Sequence, residues 1–166
     1  MRGCQDVRVR RSLLLPLLLL LLPLLAAACG DEDASTPVAC LEGPDKIETA
    51  LVTAPEPVLI DGTVPISDCL VRGQADGDLI NFGSDVVTVA TRLGTEAGGS
   101  GPAAIAAAIR AGYLVGAVEK GAEQTDGIHA ALVERVRGAA TFRLERAGEG
   151  AQVHYDAGFE AGSNFG

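Results

Sequence analysis

Apolar residues between Leu79 and Ala97 recur at intervals of three and four. Leu79, Phe82, Val86, Val89, Leu93 and Ala97 mark one side, and Asn81, Ser84, Asp85, Thr88, Thr91, Arg92 and Thr95 mark the other, which predicts an amphipathic helix. Asp76 and Asp78 stand where N-caps belong, and Gly98-Gly99-Ser100-Gly101 is a terminator. The β-branched run Val86-Val87-Thr88-Val89 argues for a strand, and the sustained helical spacing outweighs it. Gly101-Pro102 opens a second helix, proline being tolerated in the first turn. From Ala103 to Val118 only Arg110 is charged, so this segment is apolar on nearly every side and is predicted to be the central element. Ala104, Ala108, Gly112 and Gly116 repeat every four residues, a small-residue groove flanked by Ile105, Ile109, Tyr113 and Leu114. That groove suits core packing, with a lipid or a membrane-attached helix as the alternative occupant.

A third helix is predicted from about Thr125-Asp126; Thr125-Asp126-Gly127 suits either a cap or a kink in one continuous helix joining the second and third segments, and a turn is expected there. Ile128, Leu132, Val136, Ala140 and Leu144 line its apolar face. The other side carries Arg135, Arg137, Arg143 and Arg146 against Glu134 and Glu145, the one basic stripe of the chain. It reads as a solvated face that offsets acids elsewhere, an anion or partner site being the alternative. Past Gly148, Gly158, Gly162 and Gly166 repeat every four residues, and Tyr155-Asp156-Ala157-Gly158 is echoed by Phe159-Glu160-Ala161-Gly162. Each helical glycine costs about 1 kcal/mol relative to alanine, so disorder is the default for 149–166, against a docked helix that lays a glycine stripe on a neighbour.

Before these helices the pattern is broken. Pro44, Pro55, Pro57 and Pro65 exclude long elements between Leu41 and Val71. A short helix is expected from Pro44 to Val52, and Val58-Leu59-Ile60 turns at Asp61-Gly62 towards Val64 and Ile66, with Pro65 demoting the second arm.

At the start of the chain, Arg2, Arg8, Arg10 and Arg11 precede a leucine run, Leu13 to Leu25, which ends in Ala26-Ala27-Ala28-Cys29. This is the pattern of a secretory signal, residues 1–28, and the run is short for a membrane span and holds Pro16 and Pro23. Small residues directly before Cys29 resemble the lipobox of bacterial lipoproteins, with Ala26 where leucine is usual. The resemblance implies that Cys29 receives a diacylglyceryl group and becomes the N-terminus, on the extracytoplasmic face of a bacterial membrane. A plain secretory cleavage after Ala28 is the competing outcome, and Arg10-Arg11-Ser12-Leu13-Leu14 also looks like a twin-arginine signal. The mature part is similar in composition to uncharacterised lipoproteins of high-GC bacteria, which implies no activity. With Cys4 in the signal and Cys29 assigned to lipid, Cys40 and Cys69 form an even pair in an oxidising compartment, and a disulfide is expected, free thiols or a metal site being the alternatives. The expected fold is mainly α, a small bundle of about three helices (41–148) behind a proline-rich, disulfide-tied segment, joined to the anchor by an acidic tether (29–40) containing Asp31-Glu32-Asp33.

The signal removes four arginines and Asp6, leaving nine cations against 21 acids and a mature charge of −12. That balance disfavours nucleic acid and anionic surfaces. No phosphate-cradling, zinc-protease, serine-hydrolase or EF-hand motif is present, and no catalytic or metal-binding residue is assigned. Gly98–Pro102 reads as a linker rather than an anion site. His129, with no partner motif beside it, reads as a capping or surface histidine, and His154 gains no role. The leading expectation is a noncatalytic envelope protein that binds another protein or the cell wall. A small-molecule accessory is the alternative, with a pocket between the second and third helices holding Arg110, Tyr113 or His129, and an enzyme comes third. Beyond the lipid on Cys29 no cofactor is expected.

Overall fold

The computed structural model describes residues 35–147 and 149–166. The signal, Cys4, Cys29 and the acids of the tether lie outside the described residues, as do the side chains of Glu145 and Arg146.

The N-terminal segment is built from short pieces, as its prolines require. A 3-10 turn (Val38–Leu41) leads to α1 (Pro44–Ala50), which stops two residues before the expected Val52 because Leu51–Thr53 tightens into a 3-10 turn. A hairpin follows, β1 (Leu59–Ile60) antiparallel to β2 (Val64–Pro65), with Ile60 opposite Val64. Asp61 and Gly62 both adopt positive φ, 49° and 72°, which is what an Asp-Gly turn supplies. Ile66 falls in a further 3-10 turn, Ile66–Cys69, and Cys69 is disulfide-bonded to Cys40 with Cα atoms 5.7 Å apart. Both cysteines are buried. The bridge pins the first described residues to the turn that precedes the bundle.

The bundle begins with α2 (Asp76–Ala97), so helical spacing prevails over the β-branched run. Thr88, Thr91 and Thr95 return their hydroxyls to the carbonyls of Ser84, Val87 and Thr91, which satisfies them on the polar face. The capping expectation is corrected: Ala75 is the N-cap, and Asp76 and Asp78 lie in the first turn, where carboxylates complement the helix dipole without a side-chain cap bond. A turn through Gly101 (φ 83°) starts α3 (Gly101–Gln124), longer than the apolar core of its sequence. By length and composition α3 could cross a bilayer, but most of its apolar surface is buried by neighbouring elements.

The chain reverses at Thr125-Asp126-Gly127, where Asp126 and Gly127 take positive φ. Arg72 holds this corner, donating to the Gln124 carbonyl at the α3 C-terminus and pairing with Asp126 at 3.0 Å. The third predicted helix starts later than expected, as α4 (Ala130–Thr141), and Ile128 is left in the turn, exposed rather than in the core. Leu132, Val136, Ala140 and Leu144 are buried as predicted, Leu144 after a break at Phe142 and Arg143, in the short α5 (Leu144–Ala147).

The tail is the largest departure from expectation. Instead of disorder, α6 (Glu149–Phe165) runs parallel to α3 in the most extensive helix contact of the fold. Glycines on both helices make it possible: a Cβ on Gly158 would overlap the carbonyl oxygen of Ile109, one on Gly162 that of Tyr113, one on Gly112 that of Tyr155 and one on Gly116 that of Phe159. Backbone therefore meets backbone, and the dispersion and Cα–H···O contacts so gained offset the low helix propensity of glycine. The groove foreseen on α3 is filled by α6.

Candidate functional site

Tyr113 and His129, two of the residues expected to share a pocket, are separated. Tyr113 is wholly buried, and its hydroxyl accepts a hydrogen bond from the Val58 amide at 3.0 Å. Burial pushes its pKa up. Its chemistry is used to dock the N-terminal segment on α3. Arg110 is half-buried three residues earlier on α3.

His129 lines a different space. Between the first turns of α2 and α4 lies a groove of about 460 Å³, walled by Leu79, Ile80, Gly83, Ser84, Ile128, Ala131, Leu132 and Arg135 beside His129, and it contains neither Arg110 nor Tyr113. The two helices run parallel and diverge here. Farther along, a Cβ on Gly94 would lie 2.6 Å from the carbonyl oxygens of Ala139 and Ala140, so the backbones touch. At Gly83 the neighbour is the bulky Leu132 side chain, which holds the helices apart and opens the groove.

His129 as a residue is 3% exposed, and its Nδ1 lies 2.8 Å from Thr125 Oγ1. The single hydroxyl proton of Thr125 goes to the Ala122 carbonyl at 2.8 Å, so the hydroxyl accepts from Nδ1–H, which assigns the proton to Nδ1 and leaves Nε2 a bare acceptor. Burial lowers the histidine's pKa below its ordinary 6.5, so the ring is neutral at pH 7. A neutral imidazole beside an apolar groove is a hydrogen-bond acceptor for a bound group. Ser84 shares the groove, but among the described residues no hydrogen bond joins its hydroxyl to His129 and no group of three acids, cysteines or histidines could hold a metal.

The basic stripe does not act as one surface. Arg135 borders the groove, Arg137 pairs with Glu119 at 2.8 Å and Glu134 at 3.3 Å, and the Arg143 guanidinium lies over the Phe142 ring at 5.2 Å. Arg137 thus offsets acids within the domain. Tyr155, beside that pair, is pushed up to about 12, chiefly by burial. Gly98–Gly101 is a tight connection, a Cβ on Gly98 falling 2.7 Å from that of Arg143.

Sequence reasoning missed the apolar floor of the groove. One signal was available: Ile80 is a large apolar residue beside Leu79, off the three-four spacing of the α2 core. It is 68% exposed, and Ile128 is 63% exposed across the groove.

Compared with known proteins, the chain matches no family model, no curated sequence and no solved structure.

Proposed function

We propose that the chain is a lipid-anchored lipoprotein of the extracytoplasmic face of a bacterial membrane, held by a diacylglyceryl group on Cys29, and that its domain is a noncatalytic module that binds an envelope protein or the cell wall. The leader pattern and Cys29 support the address. A binding role rests on one observation: several of the polar side chains best suited to chemistry among the described residues are engaged in holding the fold. The Tyr113 hydroxyl takes the Val58 amide, the Ser67 hydroxyl donates to the Gly166 carbonyl at 2.6 Å, the His129 Nδ1 bonds Thr125 and Arg137 pairs with Glu119.

Intact-mass analysis of protein purified from its own membranes tests the anchor, with C29S expected to leave the membrane fraction. An unmodified Cys29 thiol overturns the address. Photo-crosslinkers placed on the exposed polar face of α2 and on α6 test the binding role, a discrete adduct being expected in the native envelope. The groove at His129 favours a second reading, an accessory that takes a small apolar ligand with a hydrogen-bond donor. A ligand that shifts the His129 ring resonances and is lost in H129N would establish it.

A further inference from the structure

The apolar groove lies at the end of the bundle from which the chain leaves towards Cys29. Thr36 is buried and accepts a hydrogen bond at 2.9 Å from Gln74 Nε2, which also donates to the Cys69 carbonyl, just ahead of the first turn of α2. Arg72, two residues earlier, clasps Gln124 and Asp126. One end of the molecule therefore gathers the exit point at Thr36, the start of α2, the end of α3 and the start of α4. Ile80 and Ile128 are there, both largely exposed, and Val38, two residues past Thr36, is 75% exposed. Cα–Cβ bonds in a helix tilt towards its N-terminus, so Ile80 leans towards this end.

Covalent length limits how far this end stands from an anchored Cys29. Seven Cα–Cα steps separate Cys29 from Thr36, a reach of roughly 25 Å at full extension. A domain on so short a tether meets its own bilayer at a local concentration in the millimolar range. Burying what each isoleucine exposes favours the docked state by roughly tenfold. Arg135 borders the groove and Arg72, paired with Asp126, lies at the same end, as do Asp76 and Asp78, so the attraction is apolar and an anionic surface opposes it.

We propose that this end rests on the bilayer that carries the anchor, with Ile80 and Ile128 in the interface between headgroups and acyl chains and the groove between them covered by lipid. The proposal rests on the reading of Cys29 as lipidated. It leaves the opposite end of the bundle, where Ile105 and Val153 are exposed, facing away from the membrane.

The test uses the lipidated full-length product in phosphatidylcholine vesicles with a minor fraction of phosphatidylglycerol. With Cys40 and Cys69 bridged and Cys29 acylated, an introduced cysteine is the one free thiol, so an environment-sensitive fluorophore is placed in turn at I80C, I128C, I105C and V153C. Labels at 80 and 128 are expected to shift to the blue and be quenched by spin-labelled lipid, while those at 105 and 153 remain in water. Raising phosphatidylglycerol at low salt should reduce the quenching, and I128D should return the label at 80 to water. If mass analysis shows the lipid and the labels at 80 and 128 stay in water, the docking proposal fails and the anchor stands. If Cys29 is unmodified, both fail. Labels shielded only in native envelopes, not in vesicles, identify a protein as the occupant and overturn the proposal.

Discussion

The two sides of α3 show opposite solutions to helix packing. Towards α6 the contact is made by glycines on both helices, and the backbones meet with no space for even one added methyl group. On the other side, α2 and α4 close on each other at Gly94 but part at Leu132, and a groove remains. Residue size at the crossing decides which occurs. Glycine is a poor helix former, yet paired at four-residue intervals it yields the closest approach in the molecule, whereas leucine fills volume and keeps its neighbour at a distance.

The sharpest way to break this contrast is G162L. No rotamer relieves a side chain aimed at the Tyr113 carbonyl, so α6 should undock with a loss of about 4 kcal/mol or more, read by chemical denaturation and by hydrogen exchange confined to 149–165. The same substitution at Gly138, which has nothing within 4 Å, should be nearly silent, and equal effects at the two positions would contradict the account. Next in size is the disulfide. It fixes the turn whose Ser67 packs on Gly121 and bonds Gly166, and the C40A/C69A double variant should lose about 3.5 kcal/mol on the chain-entropy model, measured as a shift in urea midpoint. Y113F keeps the ring but strands the buried Val58 amide, and a loss of about 1–2 kcal/mol is expected.

On the open side the effects are smaller and depend on conditions. Because the folded-state pKa of His129 lies below 6.5, the unfolded chain binds a proton that the folded chain resists. Its contribution is therefore complete above pH 6.5 and declines as pH falls below that value. H129N, which can still donate to Thr125, should flatten this part of the stability profile, and an unchanged slope would remove the assignment. Tyr155 has the opposite sign. Its pKa of about 12 means that the unfolded chain deprotonates first, so stability falls as pH rises past 10, and Y155F should lessen that fall. I80D, on the rim of the groove, should change stability by no more than about 0.5 kcal/mol.

Local pattern alone was enough for the mainly α class, for α2 with its three-four spacing, for the reversal at Asp126-Gly127 and for the pairing of Cys40 with Cys69. These follow from side-chain periodicity, from backbone angles that few residues adopt, and from a cysteine count. The fate of 149–166 could not be settled that way, because a glycine stripe is a liability in an isolated helix and an asset only when a second stripe, 46 residues earlier at Gly112 and Gly116, faces it. The site was equally hidden. Arg110, Tyr113 and His129 are all polar groups near apolar stretches, but whether they converge depends on which way each helix is rotated and where α4 starts. The later start, at Ala130 rather than about Thr125-Asp126, took Ile128 out of the core and made it a wall of the groove. Periodicity determines which face of a helix is apolar; only packing determines what covers it, since that depends on the shapes of surfaces brought together from distant parts of the chain.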